Sequence, residues 1–205
     1  MGKCRCPSSY TIPAYIWAFL SIAAAILCPI GLYFPNWLVR ERSGTFDTVS
    51  SFRVCLNETS PISVECSSYL NFDQIFSPEW KAVTLLMGAG GCFLVLVALT
   101  AIFGFCVRQL FNSVVMILSL IFQALGTILF IISLILFPAG LYVPQTSELC
   151  GLTTSRFNIG ECSIGWAYII TIVGTFLALV ATAMSWTTYR RKNKDDEDDD
   201  RDPYL

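Results

Sequence analysis

The chain has 205 residues, of which 55% are hydrophobic and 14% charged, with a formal net charge of −2 and no histidine. A water-soluble domain of this length needs far more charge to cover its surface, so composition excludes an ordinary soluble globule. The absence of histidine removes the commonest general base, nucleophile activator and metal ligand, and the chain is expected to be no enzyme, with no cofactor, no metal and no nucleic-acid partner.

Asp, Glu, Lys and Arg are missing from four stretches, 7–39, 82–107, 109–147 and 162–189. About 20 apolar residues in a helix cross a ~30 Å hydrocarbon core, so each stretch holds one spanning helix. The expected fold is an all-α membrane protein, a bundle of four transmembrane helices over 14–189. Residues 1–13 form a short N-terminal segment before the first span, 14–34. Lys3 and Arg5 followed by an apolar run and Ala23-Ala24-Ala25 imitate a signal peptide. The run continues through Ile30, Leu32 and Phe34, however, beyond the usual ~7–15 residues of a cleaved segment, so it reads as a retained helix. Pro29 should kink it near its outer end and free the carbonyl of Ala25.

The first loop, 35–81, shows period-two alternation. Phe46, Thr48, Phe52, Val54 and Leu56 share one face, and so do Ile62, Val64, Cys66, Ser68, Leu70 and Phe72. With turn-forming residues between the runs, the pattern predicts a hairpin cross-linked by Cys55 and Cys66 and stabilised by ~2–4 kcal/mol. The second span, 82–107, carries Gly88-Ala89-Gly90-Gly91 and, one turn beyond Gly88, Cys92. The third, 110–137, holds Gln123 at mid-span, expected to hydrogen-bond inside the bundle, and ends at Pro138-Ala139-Gly140. A second loop, 138–163, is tied by Cys150 and Cys162. The last span, 164–189, places Gly174, Ala178 and Thr182 at four-residue intervals. Small residues let helix backbones approach in lipid. Gly88, Cys92, Gly174, Ala178 and Thr182 are therefore candidate helix-packing positions, within the bundle or against a partner's helix. Tyr33, Phe34, Trp37 and Trp80 predict an outer aromatic belt, with Trp186 and Tyr189 as the inner one. Arg190-Arg191-Lys192-Asn193-Lys194 is a stop-transfer cluster, and the acidic run 195–200 completes a tail, 190–205, that reads as disordered.

Three signals set the orientation. Basic residues are more numerous at the two termini and the 108 turn than in the two long loops. Asn57-Glu58-Thr59, the chain's one N-glycosylation sequon, lies in the first loop. The loop cysteines pair as Cys55/Cys66 and Cys150/Cys162, which suits the oxidising side of a membrane. Both loops are thus expected outside and both termini in the cytoplasm of a multi-pass plasma-membrane protein. Cys4, Cys6 and Cys106 fall at the cytoplasmic boundary and are candidates for palmitoylation, while Cys28 and Cys92 read as small apolar fillers. A tetraspanin would put its larger domain, with Cys-Cys-Gly, in the second loop; here the larger loop is the first.

Phe34-Pro35-Asn36-Trp37-Leu38, Gly44-Thr45-Phe46, Phe52-Arg53-Val54-Cys55, Ser77-Pro78-Glu79-Trp80, Phe137-Pro138-Ala139-Gly140, Cys150-Gly151 and Gly160-Glu161-Cys162-Ser163-Ile164-Gly165-Trp166 occur in this order along the chain. In sequence and spacing they resemble the claudin superfamily, and within it the lipoma HMGIC fusion partner-like (LHFPL) tetraspan family, particularly its founding branch. The resemblance implies a four-helix bundle capped by a β-sheet from the first loop. It also implies an auxiliary or trafficking subunit of an ion channel or receptor, with transmembrane channel-like mechanotransduction channels and GABA-A receptors as family partners. A claudin-like junction or adhesion protein is the alternative, and a homo-oligomer in membrane lipid is a further candidate state. Claudins carry Gly-Leu-Trp shortly before the first loop cysteine, where this chain has Ser50-Ser51-Phe52, a departure that puts a paracellular role in doubt.

Overall fold

The computed structural model describes residues 11–42, 45–51, 53–57, 64–68, 75, 77–106, 113–151 and 154–201, with backbone alone at 11–12, 42, 45, 56–57, 64–68, 104–106, 113, 144–145, 148 and 191–201. Four long helices form the bundle: α1 (Thr11–Tyr33), α2 (Pro78–Cys106), α3 (Ser113–Ala139) and α5 (Trp166–Arg201), with a short α4 (Pro144–Cys150) in the second loop. Each long helix supplies a segment able to cross a membrane: Pro13–Tyr33, Pro78–Phe103, Val114–Tyr142, which runs on from α3 through a 3-10 turn at Gly140–Tyr142, and Trp166–Arg190. Packing runs around a ring in which α1 lies along α2 and α5, and α3 along α2 and α5.

Helix ends follow from local chemistry. α2 begins at Pro78, earlier than the charge-free stretch suggests, because Ser77 caps it: the Trp80 amide donates to Ser77 Oγ at 3.1 Å, and Glu79 sits in the first turn. A serine cap followed by proline at the first helical position and an acid is a strong helix start. The other end of the chain differs from expectation. The helix of the last span does not stop at Tyr189 but continues through the basic cluster and the acidic run to Arg201. Extending a helix already nucleated in the bilayer avoids the nucleation penalty.

Between α1 and α2 lie four strands, β1 (Leu38–Arg42), β2 (Thr45–Val49), β3 (Arg53–Asn57) and β4 (Val64–Ser68). All neighbours are antiparallel in a five-stranded sheet of order β4-β3-β2-β1-β5. The predicted hairpin is its β3–β4 half, with Cys55 directly opposite Cys66 in the register. Two strands escaped the sequence reading. β1 carries Arg-Glu-Arg, which masks its alternation, and β5 (Ser163–Ile164) is a two-residue strand from the second loop, paired with Leu38 and Val39. Loop two is therefore stitched to loop one by backbone hydrogen bonds.

The Ser50-Ser51-Phe52 departure falls at the β2–β3 turn. Ser50 donates its amide to the Arg53 carbonyl at 2.8 Å, and its hydroxyl accepts from the Arg53 amide at 3.2 Å. Ser51 is fully buried, and the Thr84 hydroxyl of α2 donates to its Oγ at 3.2 Å, so this turn docks on the bundle. Phe52 lies outside the described residues.

Helix α1 meets α5 at Gly31. A Cβ there would collide with Thr171 Oγ1 and lie 3.0 Å from the Ala167 carbonyl. Overfilling such a contact costs about 1–3 kcal/mol or more. Gly31→Leu should accordingly lower the midpoint of thermal unfolding of the detergent-solubilised protein. Gly88→Ala, where a Cβ meets nothing within 4 Å, should change stability by no more than about 0.5 kcal/mol.

Candidate functional site

The outer end of the bundle is closed by aromatic side chains from every long helix or its flank. Trp37 and Trp80, expected in an exposed belt with Tyr33 and Phe34, are instead fully buried, whereas Tyr33 and Phe34 do remain exposed. The correction has a specific cause: both indole N–H groups find acceptors inside. Trp37 Nε1 donates to the Gly31 carbonyl at 2.6 Å, and Trp80 Nε1 to the Phe137 carbonyl at 3.1 Å. Helix-terminal carbonyls lack intrahelical partners, so each indole satisfies an orphan acceptor while burying its ring. Trp37 packs edge-on against Phe137 and Tyr168, with centroids at 4.6 and 5.2 Å, and Trp80 stacks on Phe137 at 5.4 Å. The Tyr168 hydroxyl donates to the Leu134 carbonyl at 3.0 Å.

Above this layer, charges clamp the two loops together. Cys150 and Cys162 are disulfide-bonded, and the Glu161 amide donates to the Cys150 carbonyl at 2.7 Å. Arg40 of β1 reaches across to donate to the Leu149 carbonyl and pairs with the Glu161 carboxylate. On the other flank the Tyr142 hydroxyl is 3.3 Å from both Glu79 carboxylate oxygens, and Arg156 lies over the Tyr142 ring at 4.6 Å and 3.9 Å from Glu79. Sequence reading missed both clusters, since residues 121 and 63 positions apart carry no local signal. Phe157, next to Arg156, has a left-handed backbone (φ 62°) and is 65% exposed. Cys55 is disulfide-bonded; the side chains of Cys66 and Asn57 lie outside the described residues, as do Cys4, Cys6 and the side chain of Cys106.

Within the bilayer the candidate packing residues divide into two groups. Gly174, Ala178 and Thr182 serve the bundle itself. A Cβ on Gly174 would lie 2.8 Å from Cys28 Sγ and 3.1 Å from Leu27 Cβ of α1. Ala178 is fully buried, and Thr182 Oγ1 is 3.4 Å from Thr127 Oγ1 of α3. Gly174 and Ala178 are thus taken up inside the bundle, and Thr182 is half-buried against α3. Gly88 and Cys92 behave oppositely: a Cβ on Gly88 meets no atom within 4 Å, and Cys92 is exposed. Gln123 is fully buried and accepts a hydrogen bond from the Ser21 hydroxyl at 3.2 Å, joining α3 to α1 across the bundle. Among the described residues no three of His, Cys, Asp or Glu gather to hold a metal ion.

Comparison with known proteins agrees with this architecture. Residues 13–189 match the family described as lipoma HMGIC fusion partner-like protein. The human LHFPL tetraspan subfamily member 2 protein is 26% identical over 201 residues, covering 88% of each chain. The zebrafish member 2a protein is 27% identical over 198 residues, again covering 88% of each. The mouse member 4 protein is 25% identical, over 86% of this chain and 72% of its own.

The buried indole bond gives a measurable expectation. Trp37→Phe keeps most of the ring and strands the Gly31 carbonyl, at a cost of about 1–3 kcal/mol. Thermal unfolding in detergent should register that loss, whereas Trp186→Phe, at a position 47% exposed, should stay within about 0.5 kcal/mol of the parent.

Proposed function

We propose, from the premise that this chain belongs to the lipoma HMGIC fusion partner-like family of tetraspan membrane proteins, that it is an auxiliary subunit of an ion channel or receptor in the plasma membrane. The observation that carries this reading is the outward face of α2. At Gly88 no atom of the described residues fills the place of a side chain, and exposed Cys92 follows one turn later. A partner's helix can approach that face to near-backbone contact, where van der Waals packing replaces lipid. The other small-residue row, on α5, is used by α1 and α3 and leaves α2 as the lateral contact. The sheet and the second loop, held as one unit by β5 and the Arg40–Glu161 pair, supply a second contact beyond the bilayer. Such a subunit stabilises its partner's assembly, or biases its conformations, by the difference in its affinity for them.

In this reading the sheet and both loops face the extracellular space, the termini face the cytoplasm, Cys55 pairs with Cys66, and Asn57 carries a glycan. The sequon, the Cys150–Cys162 disulfide and the membership of both loops in one sheet support a common, oxidising side for them.

Affinity purification of the tagged chain after mild detergent extraction tests the proposal. The unsubstituted chain should recover a channel or receptor subunit. Gly88→Leu should reduce that recovery several-fold, because a blocked close contact costs about 1–3 kcal/mol. Recovery of homo-oligomers alone would overturn the reading, and altered paracellular conductance in expressing cell layers would favour a junction role instead.

A further inference from the structure

Where α1 leaves the bundle, a groove of about 410 Å³ opens between the end of the helix and the underside of the sheet. Its floor is Tyr33, Phe34 and Asn36, and its roof is Phe46 and Thr48 of β2 with Arg53 of β3. Tyr33 is the last residue of the first membrane-crossing segment, Pro13–Tyr33. The floor therefore lies at the level where hydrocarbon gives way to headgroups. Three of the lining aromatics stay accessible, Tyr33 at 58%, Phe34 at 38% and Phe46 at 56%. Over them sits a cation, with the Arg53 guanidinium 4.8 Å from the centre of the Tyr33 ring.

This combination has a direct chemical reading. Apolar rings at the bilayer boundary suit the first carbons of an acyl chain and its glycerol, while a guanidinium suits a phosphodiester, which it can address with two parallel N–H donors. Stacking on a ring face holds the guanidinium plane in place. Asn36 and Thr48 add neutral polar groups for ester or glycerol oxygens. The geometry points to a binding site for one phospholipid of the leaflet that contacts the sheet, with its phosphate on Arg53 and its glycerol end between Tyr33, Phe34 and Phe46. The lipid would wedge the sheet against α1 and so help to fix how the sheet is tilted over the bundle. A protein segment in the same groove would need an acidic group at the same height; lipid is the occupant favoured by position, since every copy of the chain is bathed in it there.

The full chain, reconstituted without any partner into phosphatidylcholine vesicles, provides the test. The probe is a phosphatidylcholine carrying a diazirine near the glycerol end of one chain, and adducts are mapped by peptide mass spectrometry after illumination. Peptides holding Tyr33 to Asn36 and Phe46 to Cys55 should be labelled together, the latter above any other sheet peptide. Arg53→Gln should cut labelling of the sheet peptide about tenfold, the effect of losing one charge-assisted hydrogen bond, and Arg53→Lys should restore part of it. Phe46→Asp sets an anion at an exposed position of the groove and should give the same loss, so the test survives if Arg53→Gln fails to fold. Labelling of the sheet that is absent in the parent, or unchanged by both Arg53→Gln and Phe46→Asp, would overturn the proposal. So would adducts of these peptides only with a second protein molecule.

Discussion

The indole of Trp37 holds together the two halves of the molecule. It stands between the last turn of α1 and the first residue of β1, and its N–H closes on the Gly31 carbonyl while its ring fills the space between Phe137 and Tyr168. The chain therefore leaves the bilayer in one direction only. Leu38, the next residue, starts the strand that pairs on one side with β2 and on the other with β5. Trp80 repeats the device at the start of α2, stacked on the same Phe137. Backbone carbonyls at helix ends are costly to bury unpaired, and each tryptophan answers one of them from within the apolar layer.

Below that layer the bundle obeys the rule that lipid enforces. Backbone groups are satisfied within the helices, and side-chain hydroxyls return to the carbonyl one turn earlier, as Thr127, Ser133, Thr171 and Thr175 do. Among the described residues the side-chain links between helices are neutral: Ser21 to Gln123, Thr100 to Ser119 and Thr127 to Thr182, with the Tyr168 hydroxyl on the Leu134 carbonyl. Close approach supplies the rest, at Gly31 and Gly174, where α1 and α5 leave no room for a side chain. Among the described residues the ion pairs lie above the aromatic layer, where Arg40 of β1 meets Glu161 of the second loop and Arg156 of that loop meets Glu79 at the start of α2. The division underlies the proposed function: the interior is spent on its own cohesion, and the open face of α2 and the rim of the sheet are the surfaces that the proposal gives to a partner.

Particular residues show where sequence reasoning succeeded and where it stopped. Alternation around Cys55 and Cys66 was strong enough to place the β3–β4 pair, because a half-buried strand needs period two. The Arg-Glu-Arg of β1 and the two residues of β5 carried no such pattern, since their pairing is fixed by Trp37 and Gly165, whose amide donates to the Trp37 carbonyl at 2.8 Å. General grounds put Trp37 and Trp80 in an exposed belt; contacts with Phe137 and, for Trp37, Tyr168, far along the chain, bury them. Gly88 and Gly174 look alike in sequence; one faces outward and the other rests on Cys28.

The sequence alone determined the number of spans, the positions of the loops and the family, because hydrocarbon excludes charge and a spanning helix has a fixed minimum length. Those are properties of segments, and each can be judged without the others. Tertiary structure decided which small residues are used up inside, which tryptophans become core, and that the two loops form one sheet closed over a groove at Arg53. These depend on which helix lies beside which, a relation between distant positions that no local pattern records.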